Sequence, residues 1–274
     1  MSAPLPQTIR WAEWVYGRDG VSRADAAEEY HEASKLSTAT ADHRVRGGRL
    51  LEFSPEMRAS AARAVKRYRH VPRIELPPPR LPPTRFADLV VRRRSEREFG
   101  PQPVGLDHLG TLLSAAYGVT ATLDSGQPLR AVPSGGALYP LELYVAASSI
   151  SGLDAGLYHF DPFRTALECL RTFDPRPELG ELSPYGDLLA AAAAVVFVTA
   201  MFWRSRFKYG LRGYRFALLE AGHLGQNLLL AATALELASL PVGGVYDRRV
   251  DEFLSVDGVN ESVVYAFSVG TRPE

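Results

Sequence analysis

An α+β fold is predicted from three observations. Short apolar or alternating runs, Leu141–Ser148, Gly156–Asp161, Ala166–Phe173 and Ala194–Met201, follow one another with turn residues such as Ser151-Gly152 and Asp161-Pro162 between them, as strands joined by turns do. A long proline-free stretch of helix formers comes after them, ending near Leu237. No regular βαβα alternation is present, so the strands are expected to pair antiparallel, with helices packed on the sheet.

Composition sets the outer limits. The 274 residues are near the upper limit for one hydrophobic core, and 46% hydrophobic with 23% charged residues is ordinary for a soluble globular protein. Net charge is zero, which removes any general electrostatic draw toward nucleic acid and favours association over mutual repulsion. The single cysteine, Cys169, excludes an internal disulfide and a thiol-built metal site. The six histidines lack ligand spacing, and EYHEASKL (Glu29–Leu36) has no second histidine four residues after His31, so no metal is expected. The start MSAPLPQTIRWAEWVYG lacks the order of a secretory signal, and the run LLAAAAAVVFVTAMF is too short for a membrane span. A cytoplasmic protein is the expectation.

Taken in order, Ser22–Tyr30 and Ser54–Tyr68 read as short helices, and the proline-dense ELPPPRLPP (Glu75–Pro83) must be extended. A boundary is placed there, between an accessory segment, 1–83, and a main domain, 84–274. Phe86–Arg92 and Leu106–Tyr117 read as helices, and Gly118–Pro140 as a long loop of functional type. GLYHFDPFRTALECL is predicted to be a hairpin turning at Asp161–Arg164, followed by short helices at Pro177–Leu182 and Asp187–Ala191. The stretch Arg206–Leu237 is the centre of the chain. Apolar residues occupy nearly every face of its second half, as in a helix buried on all sides within a core or a subunit interface. Ala238–Val245 reads as a strand or turn, Arg249–Leu254 as a helix and Glu261–Gly270 as a last strand.

Four motifs carry candidate chemistry. RRRSEREF (Arg92–Phe99) packs four arginines and a serine into one turn, donors suited to a phosphate. PSGGALYP (Pro133–Pro140) and PVGGVYD (Pro241–Asp247) each hold a glycine pair, where backbone can approach a flat ligand or a phosphate without a Cβ in the way. FKYG (Phe207–Gly210) sets one of only three lysines in the chain, Lys208, beside Tyr209. Lysine, unlike arginine, can take part in proton transfer. GxGxxG, P-loop and GxSxG patterns are absent.

In this order RRRSEREF, PSGGALYPLELYV, GLYHFDP, FKYGLRGYRFALLEAGHLGQNLLLAA, PVGGVYD and a closing VYAFSVG resemble the SagB-type dehydrogenases, the oxidase branch of the FMN-dependent nitroreductase superfamily. The resemblance covers Phe86–Arg272, with EYHEASKL similar to a segment found ahead of that domain. It implies a nitroreductase-like fold, a central antiparallel sheet wrapped by helices, in an intertwined homodimer with FMN at the subunit interface. By motif, Arg93, Arg94, Ser95 and Arg97 would hold the phosphate and ribityl chain, with Arg272 adding a phosphate contact. Pro133, Ser134, Gly135 and Gly136 would lie along the flavin, and Gly243 and Gly244 would face its N5 side. Lys208 and Tyr209 would be catalytic in turning a thiazoline or oxazoline of a modified peptide, or a carrier-bound substrate, into the aromatic azole, with dioxygen as reoxidant and a cyclodehydratase as a possible partner. The competing expectations are an NAD(P)H-dependent nitroreductase or flavin reductase, and a non-catalytic scaffold of a biosynthetic complex.

Overall fold

A computed structural model describes residues 26–36, 51 and 53–273, and the chain divides into two compact units, Met1–His43 and Arg44–Glu274. In the first unit the described element is helix α1, Ala26–Ala33; the expected cap Ser22 lies outside the described residues.

The second unit is built on a seven-stranded sheet with every neighbouring pair antiparallel, in the order β1-β8-β7-β5-β9-β11-β10. Its strands are β1 (Arg73–Glu75), β5 (Leu141–Ala147), β7 (Gly156–Asp161), β8 (Ala166–Thr172), β9 (Ala194–Met201), β10 (Leu237–Val242) and β11 (Glu261–Thr271). The two-residue strands β2 (Val104–Gly105) and β6 (Ile150–Ser151) pair separately, as do β3 (Val119–Thr122) and β4 (Pro128–Arg130). The β7–β8 turn falls where expected: the Asp161 carboxylate accepts the Phe163 N–H at 2.9 Å and so fixes the bend.

Because β5 and β9 lie inside the sheet and are covered on both faces, they read as continuous apolar runs with few polar residues. Alternate residues serve opposite layers. Leu143, Val145, Val196 and Val198 face the layer of α3 (Phe86–Arg92), α4 (Leu106–Tyr117) and α8 (Arg212–Ala234), where Leu112, Leu113, Leu224 and Leu228 meet them. Tyr144, Ala146, Val195 and Phe197 face the layer of α5 (Arg176–Leu179), α6 (Gly186–Ala190) and α9 (Asp247–Leu254), packing with Leu189, Val250 and Phe253. Helix α8 has 23 residues, about 35 Å at 1.5 Å per residue. It approaches β11 so closely that a Cβ at Gly225 would lie 2.5 Å from the Phe267 ring; this glycine has a packing reason.

Three expectations need adjustment. Helix α2 covers only Pro55–Ala62, capped by Ser54, and the chain then runs without helix or strand, through a turn at 69–70, to β1. The loop Gly118–Pro140 contains the β3–β4 hairpin. The residues just before the central helix form a further helix, α7, Phe202–Tyr209, closed by Gly210 at φ +56°. The chain also joins the sheet ahead of Pro83: β1 pairs with β8, and residues 54–83 lie within the second compact unit. Among the described residues no helix is long and apolar enough to cross a membrane.

Candidate active site

Lys208 and Tyr209 end α7, and the close crossing of α7 and α8 at Gly213 sets where they point. A Cβ at Gly213 would lie 2.7 Å from the backbone of Ser205 and Arg206, so only glycine permits the approach. Both side chains are half-buried and meet the first glycine pair. A Cβ at Gly136, where φ is +66°, would lie 2.7 Å from Tyr209 Oη and 2.9 Å from Lys208 Nζ. The Lys208 ammonium lies 5.2 Å from the Tyr209 ring centroid, and Phe216 of α8 meets that ring edge-on at 4.8 Å. Two motifs about seventy residues apart are thus in contact.

This contact yields a first prediction. Gly136→Ala should lower turnover at least ~10-fold, since a misplacement of about 1 Å can cost more than that, and should destabilise the fold by ~1–2 kcal/mol from the left-handed backbone. Steady-state kinetics and thermal melting would check it; wild-type values for both would show that the Tyr209–Lys208 contact with this loop is not needed.

Beneath the same loop is a buried polar group that the sequence reading did not single out. Glu220 of α8 is 2% exposed. Burial pushes its carboxyl up to about 7, against the hydrogen bonding of Ser134 and Tyr117. Tyr117 donates to Glu220 Oε1 at 2.6 Å, and the Tyr139 N–H donates to Ser134 Oγ at 2.9 Å. The Arg130 guanidinium lies 4.4 Å from the Tyr117 ring centroid and 4.8 Å from that of Tyr139. The available signal was one acid inside an apolar helix face.

The second glycine pair sits elsewhere. Gly243 and Gly244 follow β10 and line a cavity of about 240 Å3 with Arg97, Tyr185 and Leu188. The Ser183 hydroxyl donates to the Gly244 carbonyl at 2.6 Å, and a Cβ at Gly244 would lie 3.2 Å from the Tyr185 ring. Tyr185 was not foreseen. The arginine turn reaches this place because it leaves α3 extended and pairs with the sheet edge, Glu96 N–H to Ser239 O at 3.0 Å and Gly100 N–H to Thr271 O at 2.8 Å. Arg93 and Ser95 are half-buried, and Arg94 is exposed and donates to the carbonyls of Val91 and Arg93. Arg94 shares an open cleft with Arg92, Glu96 and Arg272. Arg272 donates to Glu236 at 2.9 Å and Glu96 at 3.2 Å, and its buried Nε has no partner among the described residues.

Nine of the thirteen predicted residues therefore form three groups in one chain: Lys208, Tyr209, Gly135 and Gly136; Arg97, Gly243 and Gly244; and Arg94 with Arg272. The cavity at Gly243 includes none of the first group. Two unclaimed neighbours of Lys208 also find places. Trp203 is exposed with the Arg206 guanidinium 4.5 Å from its ring centroid, whereas Arg204 turns inward to Glu142.

An antiparallel sheet between two helical layers, with glycine-opened loops and a cationic turn at its edge, defines an oxidoreductase of nitroreductase type. The chain belongs to the nitroreductase family, whose family model matches residues 90–271; flavin use is typical of that family. The nitroreductase-type protein MJ1384 of Methanocaldococcus jannaschii is 34% identical over 67% of this chain and 90% of its own length. The trifolitoxin-processing protein TfxB of Rhizobium leguminosarum is 33% identical over 62% of this chain and 48% of its own. The microcin B17-processing protein McbC of Escherichia coli is 34% identical over 49% and 51%. The chain thus spans about half the length of these two peptide-processing relatives, which bear out the SagB-type resemblance. Among solved structures, a nitroreductase-family protein of Anabaena variabilis superposes with a TM-score of 0.64 at 32% identity, covering 75% of this chain and 42% of its own. The Escherichia coli microcin synthetase McbBCD complex, at TM-score 0.59 and 24% identity over 90% of this chain and 87% of that chain, shares the fold.

Proposed function

We propose that the chain is an FMN-dependent dehydrogenase of peptide natural-product biosynthesis, oxidising a thiazoline or oxazoline ring to the aromatic azole. The packing of Lys208 and Tyr209 against Gly136 carries the reading, because it sets a phenol and a cation at a loop opened by glycine. The peptide-processing relatives support it. When bound, FMN supplies the acceptor for the hydride leaving the ring carbon next to Cα and the route of its electrons to dioxygen. The residues present fit such a group: Gly243 has no heavy atom within 4 Å of where a Cβ would stand, and Arg97 lies at the same cavity. Arg93, Arg94, Ser95 and Arg97 would hold its phosphate and ribityl chain, and Pro133–Gly136 with Gly243-Gly244 its ring; Arg272, already paired with two carboxylates, would add its free Nε–H.

Tyr209 Oη takes the Cα proton of the azoline. Lys208 holds its ammonium beside the phenol, 5.2 Å from the Tyr209 ring centroid. Phe216 fixes the plane of the Tyr209 ring through its edge contact. A homodimer completes this reading, since in a single chain the Tyr209 group and the Gly243 cavity do not share a cleft. Exposed Phe207, Leu218 and Leu219, with Phe86, Val90 and Val91 of α3, supply the apolar surface for it. A cyclodehydratase that makes the ring is the partner class proposed.

The test is the visible flavin spectrum of the FMN-loaded protein without air, with NADH, NADPH and a synthetic thiazoline peptide supplied separately. Bleaching by the thiazoline alone, with colour returning in air, is the expected result. The nitroreductase-type relative MJ1384 keeps a reductive reading as second choice, and bleaching by NAD(P)H alone would replace the proposal with it. Protein that takes up no FMN would leave the scaffold reading.

A further inference from the structure

The sheet face that α9 covers at one end carries charges at the other. Glu142 and Tyr144 of β5, His159 of β7, Glu168 of β8, Thr199 of β9 and Glu261 of β11 lie together there, each 3% exposed or less except Glu261 at 5%. The sheet register makes the cluster, with His159 opposite both Tyr144 and Glu168, and Glu142 opposite Thr199. His159 Nε2 meets Glu142 Oε2 at 2.9 Å and its Nδ1 meets Glu168 Oε2 at 3.0 Å.

Two chain segments that are not strands hold on to these carboxylates. Residues 63–68, which form neither helix nor strand, pass over them. The Lys66 N–H donates to Glu142 Oε1 at 2.7 Å, the Tyr68 N–H to Glu168 Oε2 at 3.3 Å, and Lys66 Nζ to Glu261 at 2.8 Å. From the other side comes α7: Arg204 Nη2 pairs with the same Glu142 Oε1 at 2.6 Å, and its Nη1 reaches the Tyr139 carbonyl at 3.4 Å. One carboxylate oxygen therefore joins residues 63–68 to a helix whose Lys208 stands one turn after Arg204, on the same face. Tyr139 belongs to the loop that holds Gly136.

We propose that Glu142 is a positioning residue through which residues 63–68 set the placement of Lys208 and Tyr209. The proposal rests on the catalytic reading of that pair. Residues 63–68 lie outside the stretch matched by the family model, so this control would be added to the family domain by the chain ahead of it. A buried ion network is coupled in this way: removing one bond leaves its partners uncompensated in a medium of low dielectric, and they rearrange together.

Amide hydrogen exchange read by mass spectrometry on the FMN-loaded full chain tests it, alongside kinetics. Glu142→Gln keeps an acceptor for both donors but removes the charge. Exchange in peptides covering 63–68 and 202–210 should rise together, by about 10-fold, with the β9 core unchanged. The kcat should fall about 10-fold with KM nearly constant and the flavin spectrum as in the wild type. Lys66→Met, which removes the Nζ bonds to Glu261 and Tyr144 but keeps the backbone N–H to Glu142, is the milder variant should the first not fold; it should loosen both segments to a smaller extent. Loosening of 63–68 alone in either variant, with exchange of 202–210 and kcat as in wild type, would overturn the proposal. Coupled loosening together with full activity of Tyr209→Phe would instead retain the coupling and remove the catalytic reading.

Discussion

Tyr209→Phe is expected to lower azoline turnover by about 10²–10⁴-fold, the range for loss of a positioned acid–base group, while FMN content and melting temperature stay near wild type. The substitution deletes one half-buried oxygen and leaves the ring where Phe216 holds it, so packing is kept and only the oxygen proposed as proton acceptor is lost. Lys208→Met, which removes the cation beside the Tyr209 ring, should act in the same direction. Single-turnover bleaching of bound flavin by a thiazoline peptide separates this from slow product release. Wild-type bleaching in the phenylalanine variant would take Tyr209 out of the chemistry.

The second large effect concerns stability against pH. Burial would by itself push His159 down, but hydrogen bonds to Glu142 and Glu168 and their charges outweigh it and hold the imidazole up at about 9. A folded value raised above the ordinary 6.5 means that the folded state keeps its proton longer than the unfolded chain does. The stabilisation is therefore complete below pH 6.5 and is lost as pH rises through about 9. Its size is about 3 kcal/mol at 1.36 kcal/mol per unit. Glu142 defines the acid limit: despite burial, Arg204 and His159 hold it at about 2, so its contribution is present above 4.5 and lost as pH falls toward 2. Glu220 acts the other way. Its raised value makes the folded state bind the extra proton, so the stability it confers declines between 4.5 and about 7. Melting temperature should thus fall from pH 7 to 9.5 in the wild type. His159→Gln should begin lower, by the ~3–5 kcal/mol of a broken buried pair, and lose most of that alkaline decline. An identical alkaline slope in the variant would show that His159 is not the titrating group.

Much of the architecture is readable from local pattern. The continuous apolar runs of β5 and β9 come from burial on both faces, the Asp161 turn fixes the β7–β8 hairpin, and α8 is a proline-free run of helix formers. The motif order pointed to the family. Misreadings came where local signals are weak: the helix expected to run to Tyr68 stops at Ala62, and the backbone N–H groups of Lys66 and Tyr68 beyond it meet buried carboxylates far away in sequence.

By itself, then, the sequence determined the central strands β5, β7, β8 and β9 and the helices α3, α4 and α8, the arginine-rich motif, both glycine pairs and the Lys208-Tyr209 pair, because each rests on residues within a few positions of one another. Only the tertiary structure decided that Gly136 meets Tyr209, that Arg97 lines one cavity with Gly243-Gly244, and that Lys66 and Arg204 share Glu142. Those contacts depend on the register of strands and on helix crossings between residues tens of positions apart. No local periodicity encodes such distances; they are set when the sheet pairs and the two layers close on it.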